Sequence, residues 1–265
     1  MWLPSCCNIK GLMKCPGGKR CRWLIVCPPI MAAGVLGILA GLVPPMSADA
    51  SEWLGLTGVE LGANRNRYAF VGAIAPLTSN TGLGQGWVQR YWLDWLEYGY
   101  ESEGEEIRAK APGASALFGY QRSNSEGFWA GYAGAGYRNT TLNPDRPDAE
   151  VRGGQYALQL LGEVDRRFAQ SWRFVGAVQL ALGPDSYWTR AKFLQKSSTA
   201  TFWQGVEVVF QGDPDYSAAK IGLVLDEWGV GRGVTANFKL GANKTTSLKT
   251  GVYAGIEFVG SFGKK

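Results

Sequence analysis

The residues best equipped for chemistry lie between Trp87 and Glu106. Four carboxylates, Glu101, Glu103, Glu105 and Glu106, fall close together, and Asp94 and Glu97 stand just upstream. Paired carboxylates serve as acid and base in glycoside hydrolysis, and clustered ones bind calcium. Such a run more often forms a solvated acidic loop, and that is the reading adopted for Glu101 to Glu106. Trp87, Tyr91, Trp92 and Trp95 surround Arg90 and Asp94. Aromatic rings stack on the apolar faces of glucose units, so Trp87, Arg90, Tyr91, Trp92, Asp94 and Trp95 are candidate glucan contacts. The competing reading is a ladder of charge inside a barrel, with an aromatic girdle at its rim.

The missing residue types narrow the chemistry further. The sequence contains no histidine, the usual base of barrel enzymes that cleave phospholipids, lipid A or peptides. No catalytic residue is assigned, and the chain is expected to be non-enzymatic. All five cysteines (Cys6, Cys7, Cys15, Cys21 and Cys27) fall near the start. Their spacing fits no zinc pattern, and no histidine completes one. Neither a metal nor a cofactor is expected. The net charge of +5 also belongs to the start of the chain, where five bases and one acid precede Ser51. The remaining 22 basic and 21 acidic residues leave a net charge of +1, too little for a nucleic-acid partner.

Residues 1–50 have the order of a secretory signal. Lys14 to Arg22 is basic, Ile30 to Val43 is apolar, and Ala48-Asp49-Ala50 supplies the small residues of a cleavage site after Ala50. The apolar run is shorter than the roughly twenty residues of a spanning helix. Residues 51–265 are then a single domain.

That domain must position the candidates with strands. Glycine, 37 residues in all, interrupts almost every window in which a helical period could start. Strict alternation takes its place. Tyr156, Leu158, Leu160 and Val164 share one face of a strand, and Gln155, Gln159 and Glu163 share the other. Trp172 to Leu182 and Val252 to Phe262 alternate in the same way, and Asn64-Arg65-Asn66-Arg67 and Gly212-Asp213-Pro214-Asp215 read as turns. A polar loop is expected from Asn139 to Glu150. The series gives about twelve strands (10–12), each near ten residues, the length of a tilted membrane crossing. The expected fold is an all-β, antiparallel, up-and-down outer-membrane β-barrel. Gln155, Gln159, Glu163, Arg190, Lys192 and Glu207 are expected to face its lumen.

Several short motifs carry a resemblance. Gly113-Ala114-Ser115-Ala116-Leu117 runs into Gly119-Tyr120-Gln121, and Gly136-Tyr137-Arg138 precedes Thr140, Leu142, Pro144 and Asp145. Arg152-Gly153, Tyr187-Trp188-Thr189-Arg190, and Gly212-Asp213 with Tyr216 follow. In these the chain resembles the bacterial cellulose biosynthesis protein BcsS family. The resemblance implies a secreted β-rich protein of the Gram-negative outer membrane that supports cellulose synthesis, export or surface anchoring. The implied partners are outer-membrane lipid, the cellulose chain and the synthase or export machinery. Two alternatives stay open: a soluble periplasmic β-sandwich that binds glucan, and a generic small porin.

Overall fold

The computed structural model describes residues 52–63, 65–78, 82–245 and 250–263. The leader and its cleavage site lie outside the described residues. Twelve strands run in chain order: β1 Trp53–Gly62, β2 Arg67–Pro76, β3 Gln85–Ser102, β4 Glu105–Ser123, β5 Gly127–Asn143 and β6 Gly153–Ala169. They continue as β7 Trp172–Leu182, β8 Ser186–Gln195, β9 Trp203–Asp213, β10 Tyr216–Gly231, β11 Val234–Thr245 and β12 Gly251–Phe262. Each pairs antiparallel with its neighbours in sequence, and β1 pairs with β12, from Trp53 against Phe262 to Gly62 against Tyr253. The sheet closes on itself, which removes both edges and leaves no unpaired backbone row. A closed barrel excludes the two-sheet sandwich considered as an alternative.

Period-two alternation sets the two faces. On β6, Tyr156, Leu158, Leu160 and Val164 point outward and are exposed, while the alternate positions are more buried. On β10, Ile221 and Leu223 face out between the inward Lys220, Gly222 and Val224. The exterior is therefore apolar and the interior carries the charge, the reverse of a water-soluble fold. Toward the end that carries Trp53 and Phe262, the outward aromatics Trp87, Tyr120 and Trp129 touch one another in a row, with ring centroids 5.4 and 5.9 Å apart.

Inward glycines make room for large inward side chains. A β-carbon on Gly58 would stand 2.7 Å from the Phe70 ring. Gly72 lies beneath Trp92, Gly119 beneath Tyr132, and Gly136 beneath Gln159. In each case a side chain lies flat along the wall across a neighbouring strand. This explains why glycine and aromatics are abundant together.

Two expected boundaries move. Glu101 to Glu106 is not a loop. β3 and β4 run on to Ser102 and Glu105, joined only by Glu103 and Gly104 at φ values of 53° and 80°. Two left-handed residues between paired strands make a tight hairpin turn, whose twist lets the ladder continue to its tip. The loop expected from Asn139 begins after Asn143, because Thr140 and Leu142 face inward and are buried.

Candidate functional site

Among the described residues, charge, aromatic rings and amides converge in the lumen. Ion pairs cross it between distant strands. Arg90 of β3 reaches Glu163 of β6 at 3.1 Å, and Arg190 of β8 reaches Glu257 of β12 at 3.2 Å. Glu60 accepts from Lys220 at 2.5 Å and from Lys239 at 2.7 Å, and Lys239 continues to Glu257 at 3.0 Å. Lys192 pairs with Asp226 at 3.1 Å, and Arg138 with Asp94 at 2.6 Å. Charges withdrawn from water need such partners, because an isolated one is very costly.

Apolar side chains fill the lumen toward the end that carries Trp53 and Phe262. One cluster joins Ile74, Val88, Leu117, Ala130, Tyr132 and Leu161. Another, from the facing wall, joins Leu194, Trp203 and Val224. At the opposite end the long β3–β5 strands reach across the mouth. Tyr98 and Tyr100 pack with Ile107 and Leu142 onto Tyr216 and Ala218 of β10. The Tyr98 hydroxyl donates to Asp213 at 3.0 Å, and its ring lies 4.3 Å from that of Tyr216. The 144–152 loop follows the same direction, burying Val151, whose backbone N–H donates to Asp215 at 3.3 Å.

The space that remains is a chamber of about 260 Å³. Gln155, Gln159, Gln179 and Gln211 line it, with Trp188 and Tyr68. The Gln179 amide donates to Gln159 at 3.4 Å, and the Gln155 amide donates to the Glu150 carbonyl at 2.6 Å. Arg90, Arg138 and Arg190 also reach the chamber, each already paired with a carboxylate.

The structure divides the six aromatic and charged candidates between two faces. Arg90, Trp92 and Asp94 point into the lumen, while Trp87, Tyr91 and Trp95 lie on the exterior. The period of two allows nothing else on one strand. They do not form one continuous track. The Trp92 ring is also occupied: Phe70 stacks on it at 4.5 Å, the Arg90 guanidinium lies 4.5 Å from its centre, and its indole donates to Tyr68 at 3.2 Å. Asp94 and Glu97 fall on opposite faces too, since Glu97 turns outward to Arg108. They cannot act together on one bond.

Gln155, Gln159, Glu163, Arg190, Lys192 and Glu207 all lie on the lumen side of β6, β8 and β9. The sequence reading missed Gln179, Gln211 and Trp188 as chamber residues. Trp188 was legible, because it alternates with Arg190 and Lys192, both already expected inside. Among the described residues no group of three or more acidic or thiol side chains forms a metal cage.

Among solved structures the chain is similar to the KdgM porin in complex with disordered oligogalacturonate, at 8% identity and a TM-score of 0.41, covering 79% of this chain and 99% of that one. It is also similar to the translocator domain of autotransporter NalP from Neisseria meningitidis, at 13% identity and a TM-score of 0.44, covering 88% and 94%. A third similarity is to the CymD monoaromatic hydrocarbon channel, at 6% identity and a TM-score of 0.40, covering 81% and 89%. No curated protein matches the sequence. The family model for cellulose biosynthesis protein BcsS matches residues 57–262, spanning all but the edges of the barrel. The chain belongs to the cellulose biosynthesis protein BcsS family.

Proposed function

We propose that this protein is a non-enzymatic accessory of bacterial cellulose biosynthesis, seated in the outer membrane. It supports export or anchoring of the β-1,4-glucan at the surface. The observation that carries this reading is the inside-out barrel of a BcsS-family chain: its exposed outer face is apolar and its charges are turned inward. A bilayer covers such an exterior, and water does not.

The filled lumen argues against the small-porin alternative. Apolar clusters occupy one end, ion pairs cross the middle, and Tyr98 meets Tyr216 across the other end. A glucan chain passing through would have to break several buried ion pairs at once. The protein therefore acts beside the export route, holding polymer or machinery at the membrane. A non-enzymatic role is supported by the lack of histidine and by the pairing of the chamber carboxylates Asp94, Glu163 and Glu257 with arginines.

Deleting the gene tests the proposal. Surface cellulose should fall while glucan synthase activity in isolated membranes stays at the parental level. Unchanged surface cellulose would contradict the reading.

A further inference from the structure

The 260 Å³ chamber is lined in a way that selects among ligands. Its charge is balanced in place. Arg90, Arg138 and Arg190 each meet a carboxylate within 3.2 Å, so no free cation waits for an anionic ligand. Its uncommitted hydrogen-bonding capacity lies in the amides of Gln155, Gln159, Gln179 and Gln211. A primary amide offers two donors and an acceptor. The bonds formed here, Gln179 to Gln159, Gln155 to Glu150 and Gln211 to the Tyr216 hydroxyl at 3.4 Å, still leave part of that capacity open. The Arg90 Nε–H is buried with no partner, a further donor in the same wall. Trp188 adds an aromatic surface, approached by the Arg190 guanidinium at 5.3 Å.

Neutral donors and acceptors beside an indole match a molecule whose rim is hydroxyl and whose faces are C–H. At about 260 Å³ the chamber falls just short of the roughly 300 Å³ at which pockets for drug-sized ligands begin, which limits the occupant to a small one.

We propose that the lumen chamber is a binding site for a neutral pyranose of one or two rings, the end of a β-linked glucan being the ligand in place. The identity of that polymer rests on the cellulose role proposed above. The chamber receives a chain end and does not conduct the chain, because the lumen beyond it is filled. The 144–152 loop covers the site. It is tied down by Val151 to Asp215, by Gln155 to Glu150, and by Arg146 to Glu103 at 2.8 Å. The last of these is an exposed pair of the kind that contributes little stability.

The test is titration of the purified full barrel in detergent with cellobiose, followed by calorimetry and tryptophan fluorescence. Digalacturonate serves as an anionic disaccharide control. Saturable cellobiose binding is expected, weakened about tenfold or more by Gln155→Leu, Gln159→Leu and Gln179→Leu combined, since each removes an amide that would hydrogen-bond the ligand. Unheated gel mobility checks that the variant folds; if it does not, Gln179→Leu and Trp188→Ala are measured singly, and each should weaken binding. Absence of cellobiose binding, equal binding by the variants, or tighter binding of digalacturonate would overturn the assignment. The cellulose role fails separately: a barrel that binds cellobiose, with normal cellulose in the deletion strain, keeps the site and loses the role. A barrel that binds nothing, with reduced cellulose in the deletion strain, keeps the role and loses the site.

Discussion

The hydroxyl of Tyr253 lies over Gly222, where a β-carbon would stand only 2.5 Å from it. The Tyr253 ring starts on β12 and crosses Gly241 of β11 to reach Gly222 of β10. Its hydroxyl is buried without a hydrogen-bond partner. Three strands are thus spanned by one side chain, and two glycines make that possible. Gly222→Val should destabilise the folded barrel by about 1–3 kcal/mol through overpacking, read as a lower denaturant midpoint in detergent. Glycines facing open space, such as Gly131 and Gly162 on the exterior, should accept alanine with little change.

Buried and exposed ion pairs should respond differently. Lys192 and Asp226 are both buried, so Lys192→Met strands a carboxylate in the lumen and should cost about 3–5 kcal/mol. Arg152→Ala breaks an exposed pair with Asp145 and should leave the denaturant midpoint close to the parental value. Denaturant titration of both variants in one detergent provides the comparison.

Whether lipid covers the exterior can be read from a single substitution. Leu223 is 68% exposed on the outer face of β10. In a bilayer, Leu223→Arg should cost about 2–4 kcal/mol if it sits near the midplane. On a water-facing surface the same change would be nearly neutral. Refolding yield into liposomes separates the two.

The loop over the chamber should keep its internal ion pairs through mild acid. Hydrogen bonds from Arg152 hold Asp145 below the usual aspartate value of 3.8, and those from Arg146 do the same for Asp148. A depressed carboxylate pKa contributes stability above the unfolded value and loses it as pH falls through the folded one. Protease sensitivity of residues 144–152 should therefore be flat between about pH 7 and pH 5, rising only below 3.8. A rise near pH 6 would show that other groups hold the loop.

The fold was largely legible because alternation is a local property. Tyr156 to Val164 announced their two faces without reference to any partner strand, and all twelve strands left similar traces. The lumen-facing positions Gln155, Gln159, Glu163, Arg190, Lys192 and Glu207 followed from the same period. The chamber was not legible, because its composition depends on which strands face one another across the barrel. Gln179 meets Gln159 through the β6–β7 register, and Tyr98 meets Tyr216 across more than a hundred residues. The aromatic run from Trp87 to Trp95 misled for the opposite reason. Proximity in sequence suggested one track, whereas the period of two sends Trp87, Tyr91 and Trp95 outward and Trp92 inward.

The outer-membrane seat proposed for this BcsS-family barrel places its apolar face against lipid. Gel mobility of the fractionated protein, with and without boiling in detergent, tests it most directly. A closed barrel has all its strands paired and resists unheated detergent. The protein should partition with the outer-membrane fraction and migrate differently before and after boiling. Release by osmotic shock as a soluble protein with no mobility shift would contradict it.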